Sequence, residues 1–287
     1  MITNAVFILF LLCIAIQLGF VLYFFVHIFS LSQKEADYTP SKPVSVIICA
    51  HNEAANLRHN LPAVLAQRYT NGAGNTLFEV IVVNDASTDD TEELLQDLQN
   101  MHSNLQIVNI PADAPRKYPG KKHALNEAIA VARHDILVMT DADCMPAGPQ
   151  WLLHMARPFH TGKEIVTGYG QYKTEHSVLN SFIRWETVHA FMQFSSYARA
   201  GRPYMAVGRN LACTRTAFLK AQASPQWDKL PSGDDDLLMQ AAGGKHNVAV
   251  VSHPAAFTVT EAKSNWGEYA RQKQRHLSTG KYYRWLV

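Results

Sequence analysis

Between Ala5 and Leu31 the sequence contains no Asp, Glu, Lys or Arg. A helix needs about 20 consecutive apolar residues to cross the hydrocarbon core of a bilayer, so this run predicts one transmembrane helix within residues 1–31. No basic stretch precedes it and no small-residue cleavage site follows it, which argues against a secretory signal. Lys34 and Lys42 come after the run and no Lys or Arg comes before it, so the positive-inside rule places residues 32 onward in the cytoplasm. Gln17 and His27, inside the run, read as a tolerated polar group and an interfacial residue.

The remainder has the composition of a folded domain. Of the 287 residues, 47% are hydrophobic and 17% charged, which excludes a disordered chain. Lys and Arg number 26 against 24 Asp and Glu, so no broad basic field exists and nucleic acid is not an expected partner. The cysteines (Cys13, Cys49, Cys144, Cys213) are scattered with no CxxC pair, so neither a disulfide framework nor a zinc site is expected.

After a polar linker at 32–43, short β-branched runs alternate with helical patterns. VSVIICA (44–50), FEVIVVN (78–84), LQIVNI (105–110) and DILVMT (135–140) read as buried strands. Helices are expected over Ala54–Gln67, after the DASTDDT turn, and from about Lys121 to Ala132. This alternation predicts an α/β domain with a mostly parallel sheet, whose ligands bind beyond the carboxyl ends of the strands. Those ends are acidic: the first runs into His51-Asn52-Glu53, the second into Asn84-Asp85, the fourth into Asp141-Ala142-Asp143. Carboxylates repel a diphosphate, but an Asp-x-Asp pair can hold a hard divalent cation that bridges phosphate oxygens. That is the chemistry of a nucleotide-diphosphate donor.

The series SVIICAHNEAANL, VIVVNDASTDDT, GKKHALNEAI, ILVMTDADC, SGDDDLLMQ and QKQRH resembles the family 2 glycosyltransferases, inverting enzymes with the Rossmann-like GT-A fold. The resemblance covers about residues 43–276 and is strongest to membrane-associated bacterial members. It implies that Glu53 and Asp85 contact the nucleoside and Lys121 the donor phosphates. It makes Asp143 the main metal ligand, with Asp141 beside it at the sugar, ribose or metal. It places the general base in Asp234-Asp235-Asp236, a run whose register stays open; Asp235 is the first choice and Asp234 the second. Gln272 and Arg275 match the QxxRW motif of the diphosphate and acceptor side, with His276 in place of Trp. Gly208 and Asn210 match the strand facing the acceptor. The implied cofactor is Mg2+ or Mn2+, the implied donor a UDP- or GDP-sugar.

Two further segments bear on the membrane. Ser177–Arg199 is an aromatic-rich helix that reads as core or as a helix lying against the bilayer. Residues 263–287 carry six Lys/Arg, one Glu and five Trp/Tyr, a mixture suited to headgroup depth and to the approach of a second span. The division expected is a span at 1–31, a linker at 32–43, a catalytic domain at 44–262 and an interfacial segment at 263–287. The function expected is transfer of a hexose to a lipid-linked or glycan acceptor at the cytoplasmic face of the cell inner membrane. A polyprenyl-phosphate acceptor and an inactive nucleotide-sugar-binding subunit are the alternatives. Arg116 and Lys117, in the loop before Lys121, read as further phosphate contacts or as solvated charges.

Overall fold

Strands buried on both faces need apolar side chains at every position, and this requirement selects the centre of the domain. A computed structural model describes residues 2–26, 38–277 and 280. Helix α1 (Ile2–Phe25) is followed by β1 (Val44–Ala50), α2 (Ala54–Leu65), β2 (Phe78–Asp85), α3 (Thr91–Met101), β3 (Leu105–Ile110), α4 (Lys121–Val131) and β4 (Ile136–Asp141). From β1 to β4 these bounds agree with the sequence reading to within two residues, and the turn before α3 is set by Asp89. The Asp89 carboxylate accepts from the Thr91 N–H at 3.1 Å and from the Thr91 hydroxyl at 2.6 Å, which closes the turn before the helix.

The second half contains β5 (Met145–Pro146), α5 (Trp151–Ala156), β6 (Ile165–Gly168), β7 (Gly170–Tyr172), α6 (Val178–Arg199), β8 (Leu211–Thr214) and α7 (Arg215–Gln222). It ends with α8 (Asp234–Ala242), β9 (Val248–Val251), β10 (Thr258–Thr260) and α9 (Trp266–Leu277). The main sheet has the order β3-β2-β1-β4-β8-β6-β9. Its first four strands are parallel, and β8 runs antiparallel to both β4 and β6. A small sheet, β5-β10-β7, lies beside the end of β4.

Alternation along the strands divides the core into two layers. Val46, Ile48, Val80, Val82 and Val138 pack with Leu57 and Leu61 of α2, Leu95 of α3 and Trp151 of α5. Ile47, Ile81, Val83, Leu137 and Met139 pack with Leu125 of α4, Phe218 of α7 and Leu238 of α8. Each such fully buried aliphatic side chain contributes about 1.5–3 kcal/mol relative to exposure. The order 3-2-1-4 reverses direction at β1, which opens the crevice between the carboxyl ends of β1 and β4.

Over Asn4–Phe25 the mean hydropathy of α1 is 2.9, enough in length and composition to cross a membrane. Residues 27–31 of the expected span, Lys34 and residues 32–37 of the expected linker lie outside the described residues. The rest of that linker is docked: the Tyr69 hydroxyl donates to the Lys42 carbonyl at 2.7 Å and the Lys42 ammonium to the Phe159 carbonyl at 3.0 Å. Residues 38–43 therefore belong structurally with the domain. Helix α6 is capped by the Ser177 hydroxyl, which accepts from the Asn180 N–H at 3.0 Å. It is core on one side, through Leu179, Ile183, Phe194 and Tyr197, and exposed on the other.

Candidate active site

The tips of β1 and β2 are tied into one surface by short polar side chains. His51 Nδ1 lies 2.6 Å from the Asp85 carbonyl oxygen, and the Asn52 side-chain oxygen accepts from the Thr88 N–H at 2.7 Å. Asn52 and Ala86 both take positive φ, 57° and 56°. Asn tolerates the left-handed region, whereas Ala86 carries a cost of about 1–2 kcal/mol that the surrounding bonds must hold. Beside them, Glu53 accepts from the Asn56 amide at 2.5 Å, and Asp85 forms a two-point pair with Arg116 at 2.6 and 3.1 Å. Arg116 is thereby placed against the end of β2.

At the end of β4, Asp141 pairs with Lys121, the first residue of α4. Burial works against the Asp141 charge, but Lys121 and then Arg209 and Arg275 override it and hold the carboxyl below its ordinary value. Burial likewise opposes the Lys121 charge, and Asp141 with Asp234 keeps its pKa well above that of a free lysine. Two residues on, Asp143 is exposed. Ligand atoms of Asp141, Asp143 and Cys144 lie within 4.8 Å of one another. Burial, then the charges of Asp141 and Asp143, push the Cys144 thiol well above its usual range, so it stays protonated and donates to Asp143 Oδ1 at 3.2 Å. Two of these three groups are carboxylates, hard oxygen donors that suit a cation such as Mg2+ or Mn2+.

The acidic run opens α8 from Gly233, which sits in the left-handed region at φ 78°. Asp235 Oδ2 accepts from the Gly208 N–H and Oδ1 from the Asp236 N–H, both at 2.9 Å. Burial, then Asp236 and Asp234, push the Asp235 carboxyl well above the ordinary carboxylate range, against the pull of those two N–H groups. Asp234 is placed toward the lysines, where its charge acts on both Lys121 and Lys122. Asp236 is buried, 8% exposed.

A lock joins the two halves of the site. The fully buried Lys122 donates to the Leu230 carbonyl at 2.8 Å and the Trp227 carbonyl at 3.2 Å, with its ammonium over the Trp227 ring. At Gly120, φ is +61° and a Cβ would collide with the Pro231 carbonyl, so only glycine lets the two segments approach this closely. The segment leading to Asp234 and Asp235 is thereby fixed to the start of α4.

Asn210, expected on the strand facing the acceptor, turns its side chain into the fold. It is 0% exposed, accepts from the Trp151 indole at 3.0 Å and donates to the Tyr169 and Ala256 carbonyls at 3.0 and 2.8 Å. Its amide is saturated by the fold, and of the two expected residues only Gly208 touches the acidic run. Sequence reasoning passed over the residue between them. Arg209 donates to the Gly170 carbonyl at 2.6 Å, lies over the Tyr172 ring and is acted on by the charges of Asp141 and Asp143.

Helix α9 is held by Tyr269, whose hydroxyl donates to Glu186 of α6 at 2.7 Å, and by a Lys273–Glu186 ion pair. Gln272 and Arg275 then line an open cleft of about 260 Å³ with Lys263, Glu268 and Arg271. The Arg275 charge reaches Asp141, which brings this motif to the same site. Desolvation, then Lys273, Arg275 and Arg209, lower the His276 pKa to about 4, so its ring is neutral near pH 7.

The sequence model described as "Glycosyltransferase like family 2" matches residues 40–279. The chain belongs to this family. The probable glycosyltransferase YdaM of Bacillus subtilis is 27% identical over 248 residues, 83% of this chain and 55% of YdaM. A β-monoglucosyldiacylglycerol synthase of a Nostoc species is 30% identical over 120 residues, 42% of this chain and 24% of that protein. The chain thus spans about half the length of YdaM and a smaller part of the synthase. Among solved structures, the mannosyltransferase PcManGT of Pyrobaculum calidifontis, in complex with GDP-Man and Mn2+, superposes with a TM-score of 0.63 at 19% identity, covering 93% of this chain and 73% of that one. The glycosyltransferase fold is therefore that of a GT-A enzyme, with its acidic pair after β4.

Proposed function

We propose that this chain is a membrane-anchored, divalent-cation-dependent inverting glycosyltransferase. Its donor is a UDP- or GDP-sugar and its acceptor is a hydroxyl of a lipid-linked molecule or glycan. The observation that carries the reading is the meeting of three features at one crevice: the Asp141/Asp143 pair after β4, the pinned Asp235 on the neighbouring segment, and Arg209 and Arg275 beside them. The pairing of PcManGT with GDP-Man and Mn2+ and the diacylglycerol acceptor in the synthase's name support the donor and acceptor classes.

In this reading Glu53 and Asp85 hold the nucleoside, and Lys121, Gln272 and Arg275 the diphosphate. Asp143, with Asp141, holds the cation, which when bound offsets charge on the departing diphosphate. The acceptor approaches past Gly208 and His276. Its oxygen forms a bond to the anomeric carbon as the bond from that carbon to the phosphate oxygen breaks. The bonding pair leaves with the diphosphate and the hydroxyl proton passes to Asp235, or to Asp234 if the register differs by one. A single displacement inverts the anomeric carbon. NMR of the product is therefore expected to show a β-linkage from an α-linked donor, and retention would overturn the mechanism.

The proposed domain division is a span within 1–31, a catalytic domain whose expected start at 44 moves back to 38 and which runs to 262, and a basic aromatic segment from 263 that includes α9. The catalytic domain faces the cytoplasm across the cell inner membrane, where nucleotide sugars are made. Protease added outside sealed spheroplasts is expected to leave residues 40–277 intact, and their digestion would contradict this orientation. The basic lining of the α9 cleft, Lys263, Arg271 and Arg275, favours a polyprenyl phosphate as second acceptor class.

A further inference from the structure

A surface helix of a water-soluble domain turns a polar stripe outward, and contiguous exposed apolar patches mark interaction sites. Helix α6 does the opposite. Val178, Phe182, Trp185 and Val188 recur at helical spacing with exposures of 82%, 39%, 62% and 44%. Helix α9 extends the patch with Trp266, 54% exposed, and Leu277, 74% exposed. Phe182 joins the two helices, its ring centroid 6.0 Å from Trp185 and 5.6 Å from Trp266.

The occupant is indicated by α1. Its described side chains are exposed from Asn4 to Tyr23, and it meets the domain near its C-terminal end. There Phe24 stacks on Tyr197 of α6, with centroids 4.1 Å apart and an interplanar angle of 19°, and Phe20 meets the same ring edge-on at 6.3 Å. The end of the apolar helix is thus fastened to the helix that carries the exposed stripe. A span that ends on α6 brings α6 to the surface of the bilayer. Tryptophan favours headgroup depth, and the exposed Lys263 and Arg271 beside the patch suit anionic headgroups.

We propose that the joint α6–α9 face is a second membrane-contact surface that rests in the headgroup region of an anionic bilayer and holds the Gln272/Arg275 cleft at that depth. The inference rests on reading α1 as a span, part of the proposed function. Its effect is to fix the domain's tilt, so that an acceptor reaches the site without leaving the bilayer.

The test uses the full chain with Trp285→Phe, reconstituted in vesicles of phosphatidylglycerol and phosphatidylethanolamine with brominated acyl chains. Trp151 and Trp227 are 0% exposed, so Trp185 and Trp266 are the reporters among the described indoles. Bromolipid quenching is expected, and Trp185→Phe with Trp266→Phe should reduce it at least about twofold, as for indoles seated in the interface. Equal quenching with and without the two indoles, or quenching by aqueous acrylamide instead, would overturn the proposal. Shielding from both quenchers would also overturn it and assign the face to a protein partner such as a second copy. Nucleoside diphosphate release on the same vesicles separates the two readings. Turnover with water-exposed indoles refutes only the contact surface, and quenched indoles without turnover refute only the transferase reading.

Discussion

Replacing Asp143 with alanine is expected to abolish transfer, with a loss of at least about 10³-fold, or ~4 kcal/mol of transition-state stabilisation. Asp143 is the exposed acid of the pair, and its one described side-chain partner is the buried Cys144 thiol, so the substitution costs the fold only a weak S–H hydrogen bond. Asp141 differs because Lys121 neutralises it and their pairing also orders the start of α4. Wild-type protein in excess chelator should match the variant, and Mn2+ should restore only the wild type. Electron paramagnetic resonance of bound Mn2+ gives a readout independent of turnover. Full transfer by the alanine variant, or in chelator, would show that the diphosphate departs without a cation at this position.

Asp235→Asn is expected to lower turnover by about 10²–10⁴-fold, the range set by loss of a general base, with the donor dissociation constant nearly unchanged. An amide has one oxygen where the carboxylate accepts two N–H groups, so one of the bonds from Gly208 or Asp236 is lost. That adds about 1–3 kcal/mol of destabilisation, which a thermal unfolding measurement separates from the kinetic effect. Because burial, then Asp236 and Asp234, raise the Asp235 pKa, the base is lost to protonation as pH falls through that raised value. The acid limb of the kcat/KM profile should therefore lie above the ordinary carboxylate range and disappear in the variant. An inactive Asp234→Asn beside an active Asp235→Asn would move the base by one residue.

What the sequence carried was local. β1 was read to the residue because a strand buried on both faces is almost wholly apolar, as Val44–Ala50 is apart from Ser45, and β3, at the sheet edge, through its β-branched residues. The acidic pair was legible because Asp141 and Asp143 directly follow such a strand. Partners far apart in the chain were not legible. Nothing around Lys122 signals that its ammonium is buried against carbonyls more than a hundred residues later. Arg209 sits in a turn whose neighbours attracted the attention, and its role depends on Gly170 and Tyr172 in another strand. Asn210 has partners that were equally hidden. A polar residue at a strand start looks available for ligand, yet three long-range hydrogen bonds consume its amide. The acidic run was ambiguous in sequence because three identical residues have no internal register. Gly208 distinguishes Asp235 by donating to it.

The central claim is that one crevice, built from the ends of β1, β2 and β4 and closed by α8 and α9, moves a sugar from a nucleotide donor. The most direct measurement incubates the membrane-reconstituted chain with UDP- and GDP-sugars, Mn2+ or Mg2+, and a native lipid extract, and scores nucleoside diphosphate release with label transfer to lipid or glycan. The account predicts release and transfer from at least one donor, dependent on cation and absent in Asp143→Ala. Binding of nucleotide sugars with no release from any donor at either cation would contradict it.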